Sequence, residues 1–360
     1  METLFPFGFP TPTAFYLTLY VLTFVLHQAL MHYVLAGSGY LAWCNLVPGD
    51  GETPRTAQPL AKILRDWMPF ALSAAITAGV APLLFVQIVY PTEFYTANLL
   101  LWWRWMIVIP VLIVVFYLLY LVKTRRYSEW SFLARTSIAV FVSACFLFVG
   151  FCWTANHLIS MHPDKWPGIY ETGRTELSNM EVLLRMLIWT GGAFPTMCLM
   201  AAWQLPPSST DSQIRLEEWR LARAALGGLF LATLAGIVYL VRLDDLSRGL
   251  ILGSLGGPYL GITILGLLVQ GGLWFLILQR GGRPVYRVIL SGGCTLALVG
   301  ASVLRETIRL AHLDLEKLAS HHEQAADIGG WLVFLVMAVV NVAVIGVCVV
   351  MVRRGLASQE

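Results

Sequence analysis

Residues 14–43 read AFYLTLYVLTFVLHQALMHYVLAGSGYLAW and contain no formally charged side chain. A helix of this length exceeds the roughly 20 residues needed to cross a bilayer. Two histidines, His27 and His32, lie inside this apolar run. Because an imidazole at membrane depth is costly unless it meets a polar partner, a bundle interior or a metal, these two residues are the first candidates for a functional site.

The composition extends this interpretation to the whole chain. It is 58% hydrophobic and 12% charged, with a net charge of +3, and its mean hydropathy is +0.71. These values exclude an ordinary soluble domain and predict an all-α, polytopic integral membrane protein with a single membrane domain over residues 1–360. The first apolar run is too long for a signal peptide and lacks a basic n-region, so we expect it to be retained. Membrane lipid is an expected partner and nucleic acid is not.

Hydropathy predicts about nine transmembrane helices, near residues 14–43, 67–90, 98–122, 134–156, 181–203, 221–242, 257–279, 286–304 and 329–352. Two longer connections, 157–180 and 305–328, follow the fourth and eighth helices. Residues 305–319 interleave leucine and isoleucine with charge, which predicts a short amphipathic helix on the membrane surface.

The distribution of Lys and Arg predicts the orientation. Most of the 24 basic residues fall in the connections on the side opposite the N-terminus. By the positive-inside rule, the N-terminus lies outside and the C-terminus in the cytoplasm, and we expect a multi-pass protein of the bacterial inner membrane. The longer connections, which hold five of the seven histidines, would then face outward.

Motif searches exclude several function classes. The six cysteines are scattered without CxxC or CxxCH, so no covalently attached haem, zinc ribbon or disulfide framework is predicted. Walker, dinucleotide-binding, HExxH and Gly-x-Ser-x-Gly motifs are absent from the sequence, which leaves ATPase, dinucleotide and hydrolase functions without support.

His27 is the strongest candidate for a haem b ligand, with its imidazole bound to the haem iron. Such a ligand must project from a helix at a depth where the porphyrin packs on apolar side chains. His32 follows five residues later and points about 140° away, so the two histidines do not share one ligand site on a straight helix. The alternative for either residue is a hydrogen bond to a neighbouring helix.

Other residues have weaker claims to the same cofactor. Arg104, in LLLWWRWMIVIP, is either a snorkelling arginine in an aromatic belt or the partner of a haem propionate, and Arg185 and Arg305 present the same choice. Met337 and Met186 each carry a thioether that could be an axial ligand, although packing is the usual role of methionine. A further option is a transition-metal site formed by His312 and the His321–His322–Glu323 cluster.

Four segments together resemble subunit I of the cytochrome bd family of terminal oxidases. They are LTFVLHQALMHYVLAGSGYLAW at 22–43, ITAGVAPLLFVQIVY at 76–90, FVGFCWTANHLISMHP at 148–163 and WLVFLVMAVV at 331–340. The resemblance implies a bd subunit I-like helical bundle with its N-terminus outside. It also implies that His27 ligates a high-spin haem and Met337 a low-spin haem, and His157 in the third segment is a further candidate cofactor contact.

The sequence departs from that family in three places. The expected histidine of helix five is absent, with Met186 nearby, the paired glutamates of helix three are absent, and the connection between helices six and seven is short. We therefore expect a derived, stripped-down relative in a respiratory electron-transfer complex, with other respiratory subunits and a cytochrome c as partners. Whether it acts as a terminal-oxidase-like oxidoreductase stays open, and the alternative is a cofactor-free membrane scaffold or anchor subunit.

Overall fold

A computed structural model describes residues 9–47, 55–124, 127, 129–173, 179–205, 212–327, 332–333, 335–337, 339–340, 343 and 347. Thirteen α-helices are defined over these ranges: α1 Thr11–Leu46, α2 Pro59–Val89, α3 Pro91–Leu101, α4 Trp103–Met106, α5 Val108–Lys123, α6 Phe132–Ser160, α7 Trp166–Thr172, α8 Asn179–Gln204, α9 Ser212–Arg242, α10 Asp245–Leu252, α11 Gly257–Arg280, α12 Pro284–Ala311 and α13 Leu315–Asp327.

Within the described ranges, eight helical segments are long and apolar enough to cross a membrane. They are α1, α2, α6, α8, α9, α11, α12 and the segment Trp103–Lys123, which consists of α4 and α5 together. The prediction of an all-α, polytopic membrane protein is thus confirmed. The ninth predicted helix, 329–352, lies largely outside the described residues. Large apolar side chains on the spans, such as Phe230 at 72% exposure and Ile109 at 69%, face the lipid.

The third predicted helix, 98–122, is broken in the structure. Trp102 has a φ of 48°, which ends α3, and the chain turns again at Ile107 before α5 begins. A positive φ is uncommon outside glycine and requires support from the surrounding fold. The backbone N–H of Trp102 bonds to the carbonyls of Asn98 and Leu99. The apolar sequence contained no signal for this break.

The eighth predicted helix, 286–304, is longer than expected. It continues without interruption through Ser291, Gly292 and Gly293 and ends only at Ala311. A Cβ at Gly293 would lie 2.9 Å from Val269 on α11, so this glycine permits close helix packing instead of a turn. The expected surface helix over 305–319 is replaced by the last turns of α12 and a separate α13.

Helix α1 lies at the centre of the bundle. It contacts α2, α6, α8, α12 and α13. Its N-terminal end meets the C-terminal ends of α2 and α12, since the ring of Tyr20 is 6.4 Å from that of Tyr90 and its hydroxyl is 3.2 Å from Arg305. We call this end of the bundle, which carries the predicted outer connections, the Tyr20 end.

Candidate functional site

Charged side chains are buried together at the Tyr20 end. Glu306, on α12, is 1% exposed. It accepts a hydrogen bond from Tyr90 at 2.9 Å, and Arg305 lies 3.0 Å and Arg309 3.6 Å from its carboxylate. Helical spacing places Glu306 and Arg309 one turn apart, and Tyr90 reaches them from the end of α2. The extension of α12 beyond its apolar run therefore carries its charges into the protein.

His157 and Arg185 form the second half of this cluster. His157 ends the apolar part of α6, and its Nδ1 lies 2.9 Å from Nη1 of Arg185 on α8. Because a guanidinium only donates, Nδ1 must be the acceptor, and we assign the imidazole proton to Nε2. That Nε2 lies 3.9 Å from the Glu306 carboxylate. Arg185 also donates to Glu181 at 3.2 Å and to Tyr239 at 2.5 Å.

The cluster contains more donors than acceptors. Its arginines are Arg185, Arg305 and Arg309, and its carboxylates are Glu306 and the partly exposed Glu181. Within the cluster, four buried donor atoms lack a hydrogen bond to any described residue: His157 Nε2, Arg185 Nε, Arg309 Nε and Arg309 Nη1, the last of which keeps only its 3.6 Å ion pair with Glu306. Unpaired buried donors are costly, so this arrangement suits an additional acceptor group.

A cavity of about 390 Å³ adjoins the cluster. It lies between α1, α8, α9, α11 and α12, and Arg185 and Arg305 line it together with mostly apolar side chains. Two of these, Ile237 on α9 and Ile264 on α11, are 57% and 47% exposed. Since both belong to membrane-spanning helices, the cavity opens toward the lipid between α9 and α11.

His32 lines the middle of this cavity and is fully hydrogen-bonded. Its Nε2 lies 3.4 Å from the Gln28 amide nitrogen and its Nδ1 lies 3.2 Å from the Thr196 hydroxyl. Gln28 accepts in turn from Ser302 at 3.1 Å. We assign Nε2 as the acceptor and Nδ1 as the donor, because the amide nitrogen can only donate. His32 therefore makes an interhelical hydrogen bond, to Thr196 on α8, which is the alternative to haem ligation.

His27 faces α2 instead of the cavity. Its Nδ1 donates to the Ala75 carbonyl at 2.9 Å, which makes Nε2 the lone-pair nitrogen. A Cβ at Gly79 would lie 2.8 Å from the His27 ring, so the glycine makes room for the imidazole. None of the described residues offers a hydrogen bond to Nε2. A backbone carbonyl on Nδ1 and a free Nε2 is the arrangement that metal-ligating histidines commonly have.

The remaining predicted site residues lie at separate places. Arg104 lies over Trp103 with its guanidinium carbon 5.4 Å from the ring centroid, a contact that fits both of its predicted roles. Met186 accepts a weak bond from Thr154 at 3.5 Å. Met337 is 53% exposed, and the predicted helix to which it belongs is described only in part. The structure brings His157, but none of these three, into the buried cluster.

A second, polar recess of about 280 Å³ lies beside the cluster. His162 and His312 meet there with ring centroids 5.3 Å apart, and His312 Nε2 lies 3.6 Å from Asp244. Burial lowers the pKa of His162, and nearby Lys165 lowers it further. Burial opposes ionisation of Asp244, yet the Ser247 amide and other hydrogen bonds, with His312, hold its pKa below the ordinary value.

No metal cluster is formed by the parts of the chain that the structure describes, since no group of three or more His, Cys, Asp or Glu residues there could hold a metal ion. His322, one of the suggested ligands, is instead buried. Its Nδ1 lies 2.9 Å from the Thr13 hydroxyl, and its Nε2 lies 3.1 Å from the Val89 carbonyl. This histidine fixes α13 against α1 and α2.

Sequence reasoning did not foresee the roles of Arg309, Tyr90 and Tyr239. The signal for Arg309 was available, because an R-E-x-x-R pattern at the end of an apolar run places Glu306 and Arg309 on one helical face. The two tyrosines carried no comparable signal.

Comparisons with known proteins do not supply a family. The chain matches no protein-family model, no curated protein and no solved structure.

Proposed function

We propose that this chain is a membrane subunit of a bacterial respiratory electron-transfer complex, of the cytochrome bd-like kind, that binds b-type haem through His27. The observation that carries the proposal is the hydrogen bond from His27 Nδ1 to the Ala75 carbonyl. It fixes the tautomer and the ring plane and leaves the Nε2 lone pair available within a membrane-spanning helix. Haem b would supply one-electron transfer.

The chain's own residues would position the ligand. Ala75 orients the imidazole, and Gly79 lets the ring approach the backbone of α2. One helical turn before and after His27 on the same face lie Phe24 and Leu30, both apolar, as the packing of a porphyrin requires. The proposed electron partner, such as a cytochrome c or another respiratory subunit, would dock on the outer face.

The test is the haem content of the purified complex, measured as a reduced-minus-oxidised spectrum. We expect a haem b band in the wild type that is lost or shifted in His27→Ala. The matched control is His32→Gln, five residues away, because an amide can replace both hydrogen bonds of His32; this variant should keep the band. Reduced cytochrome c should produce the same band in the wild type. A flat spectrum from a folded, complete complex would overturn the proposal.

A cofactor-free scaffold or anchor subunit is the second candidate. One observation favours it: the His27–Ala75 hydrogen bond and the Gly79 contact also join α1 to α2 without any cofactor. Under this alternative the spectrum is flat, and His27→Ala lowers the stability of the α1–α2 pair without any spectral change.

A further inference from the structure

We propose that the 390 Å³ cavity binds a membrane amphiphile with an anionic head group, either a carboxylate or a phosphate, held by Arg185 and Arg305. The apolar chain would extend along α9 and α11 toward the lipid. This site is separate from the one proposed at His27 and does not depend on it.

The first argument is the surplus of positive charge and of donors at the polar end. The cluster holds three arginines and two carboxylates, one of which is partly exposed. Among the residues that line the cavity, Arg185 has a buried donor, Nε, without a hydrogen-bond partner. An anion supplies the missing negative charge and further acceptor atoms for the two arginines, and guanidinium groups bind carboxylate and phosphate oxygens well.

The second argument is the shape and lining of the cavity. Its volume of about 390 Å³ is within the range of sites that hold small organic ligands. Apart from the arginines and the Gln28–His32–Thr196 network, its walls are mostly aliphatic. A charged end joined to an apolar chamber complements an amphiphile better than a free inorganic ion.

The third argument is access. Exposed Ile237 and Ile264 flank an opening between two membrane-spanning helices, so a molecule dissolved in the bilayer reaches the cavity without passing through water. Gly236 lies on this wall, and a Cβ added there would meet no atom within 4 Å. The glycine therefore leaves space in the cavity that a larger side chain would occupy.

The experiment measures equilibrium binding of three probes with related chains to the complete complex in detergent. The probes are oleate, oleoyl lysophosphatidic acid and uncharged oleyl alcohol. We expect at least one anionic probe to bind at least tenfold more tightly than the alcohol, and the comparison of the two anions identifies the preferred head group. Arg305→Gln should weaken anion binding at least tenfold and leave the alcohol's affinity unchanged.

Gly236→Leu provides an independent arm that leaves the arginines intact. Filling the cavity should abolish binding of all three probes. The matched control is Gly227→Leu on the same helix, because Gly227 is exposed, has open space and does not line the cavity. Each variant is checked for unchanged elution and helical content.

Equal affinities for the anions and the alcohol would overturn the proposal, as would tight binding in Gly236→Leu. A third overturning result is loss of haem in Arg305→Gln with oleate affinity unchanged. In that case the arginine serves a haem propionate. Failure of the haem proposal alone, seen as a flat spectrum, leaves these binding results unaffected.

Discussion

Glu306 is a carboxylate with 1% exposure that is surrounded by Arg305, Arg309 and the hydroxyl of Tyr90. A buried charge of this kind is tolerated only when its partners are in place. Tyr90 and Glu306 are 216 residues apart in sequence, so no local pattern could pair them. The sequence indicated that Arg305 and Glu306 lie near the end of an apolar run, and it singled out His157. It did not indicate that these groups lie close together.

Replacing Glu306 by Gln should destabilise the protein, because it leaves the buried arginines without their main counter-charge. We expect a loss of about 3 kcal/mol in the free energy of unfolding. The measurement is reversible unfolding in mixed detergent. Glu171→Gln is the matched control, since Glu171 is exposed on α7, and it should change stability by less than about 0.5 kcal/mol. Equal stability of the two variants would contradict the structural role of Glu306.

The burial of His322 predicts that the docking of α13 against α1 and α2 depends on pH. Burial is the main cause that lowers the pKa of His322 from its ordinary value of 6.5, and His321 lowers it further. The neutral form is therefore the one that docks, and protonation favours the undocked state. The contribution of His322 to docking is complete above about pH 6.5 and is lost as the pH falls below that value.

Hydrogen exchange of residues 315–327 at pH 7.5 and pH 5.5 measures this effect, with each rate divided into the intrinsic amide rate at that pH to give a protection factor. We expect lower protection factors at pH 5.5 in the wild type. His322→Gln should show nearly the same protection factors at both values, because glutamine does not titrate and can keep both hydrogen bonds. His321→Gln, the adjacent control, should keep the wild-type dependence. A pH dependence that survives in His322→Gln would rule out this histidine as its origin.

At the scale of helices, hydropathy found the spans but not their ends. Apolar runs predicted α6 and α11 closely, because burial in lipid requires a continuous apolar stretch. Hydropathy ended the eighth helix at Leu304 because a hydropathy window treats Arg305 and Glu306 as loop residues. In the structure these two side chains pair with each other and with Tyr20 and Tyr90 of other helices, so the helix continues. The break at Trp102 is not marked by glycine or proline, and the sequence is largely apolar on both sides, so hydropathy does not detect it.

Glycines set the contact between α8 and α9. A Cβ at Gly228 would lie 2.5 Å from both the Gly191 carbonyl and Phe194, so the two backbones meet here. Gly228→Val should lower the free energy of unfolding by about 3 kcal/mol or prevent folding. Gly227→Val, one residue earlier with no atom within 4 Å of its Cβ, should fold normally. Thermal stability in detergent distinguishes them, and similar melting temperatures would refute the close contact.

At the scale of the whole molecule, α1 joins the two proposed sites. His27 faces α2, while Gln28 and His32 face the cavity, so one helix presents an imidazole with an unbonded Nε2 on one side and a satisfied polar network on the other. The sequence alone predicted that the two histidines point in different directions, because that follows from helical geometry. The sequence could not show which histidine has an unbonded ring nitrogen, because that is set by the hydrogen bonds of His27 to Ala75 and of His32 to Thr196.

Ligation of haem by His27 is the central claim, and rescue by free imidazole tests it most directly. The measurement is the reduced-minus-oxidised spectrum of a His27→Gly complex before and after addition of imidazole. We predict that the haem b band disappears in the variant and returns with imidazole, because the small ligand replaces the missing side chain beside Gly79. A band that is the same in His27→Gly and wild type, with no response to imidazole, would contradict the account.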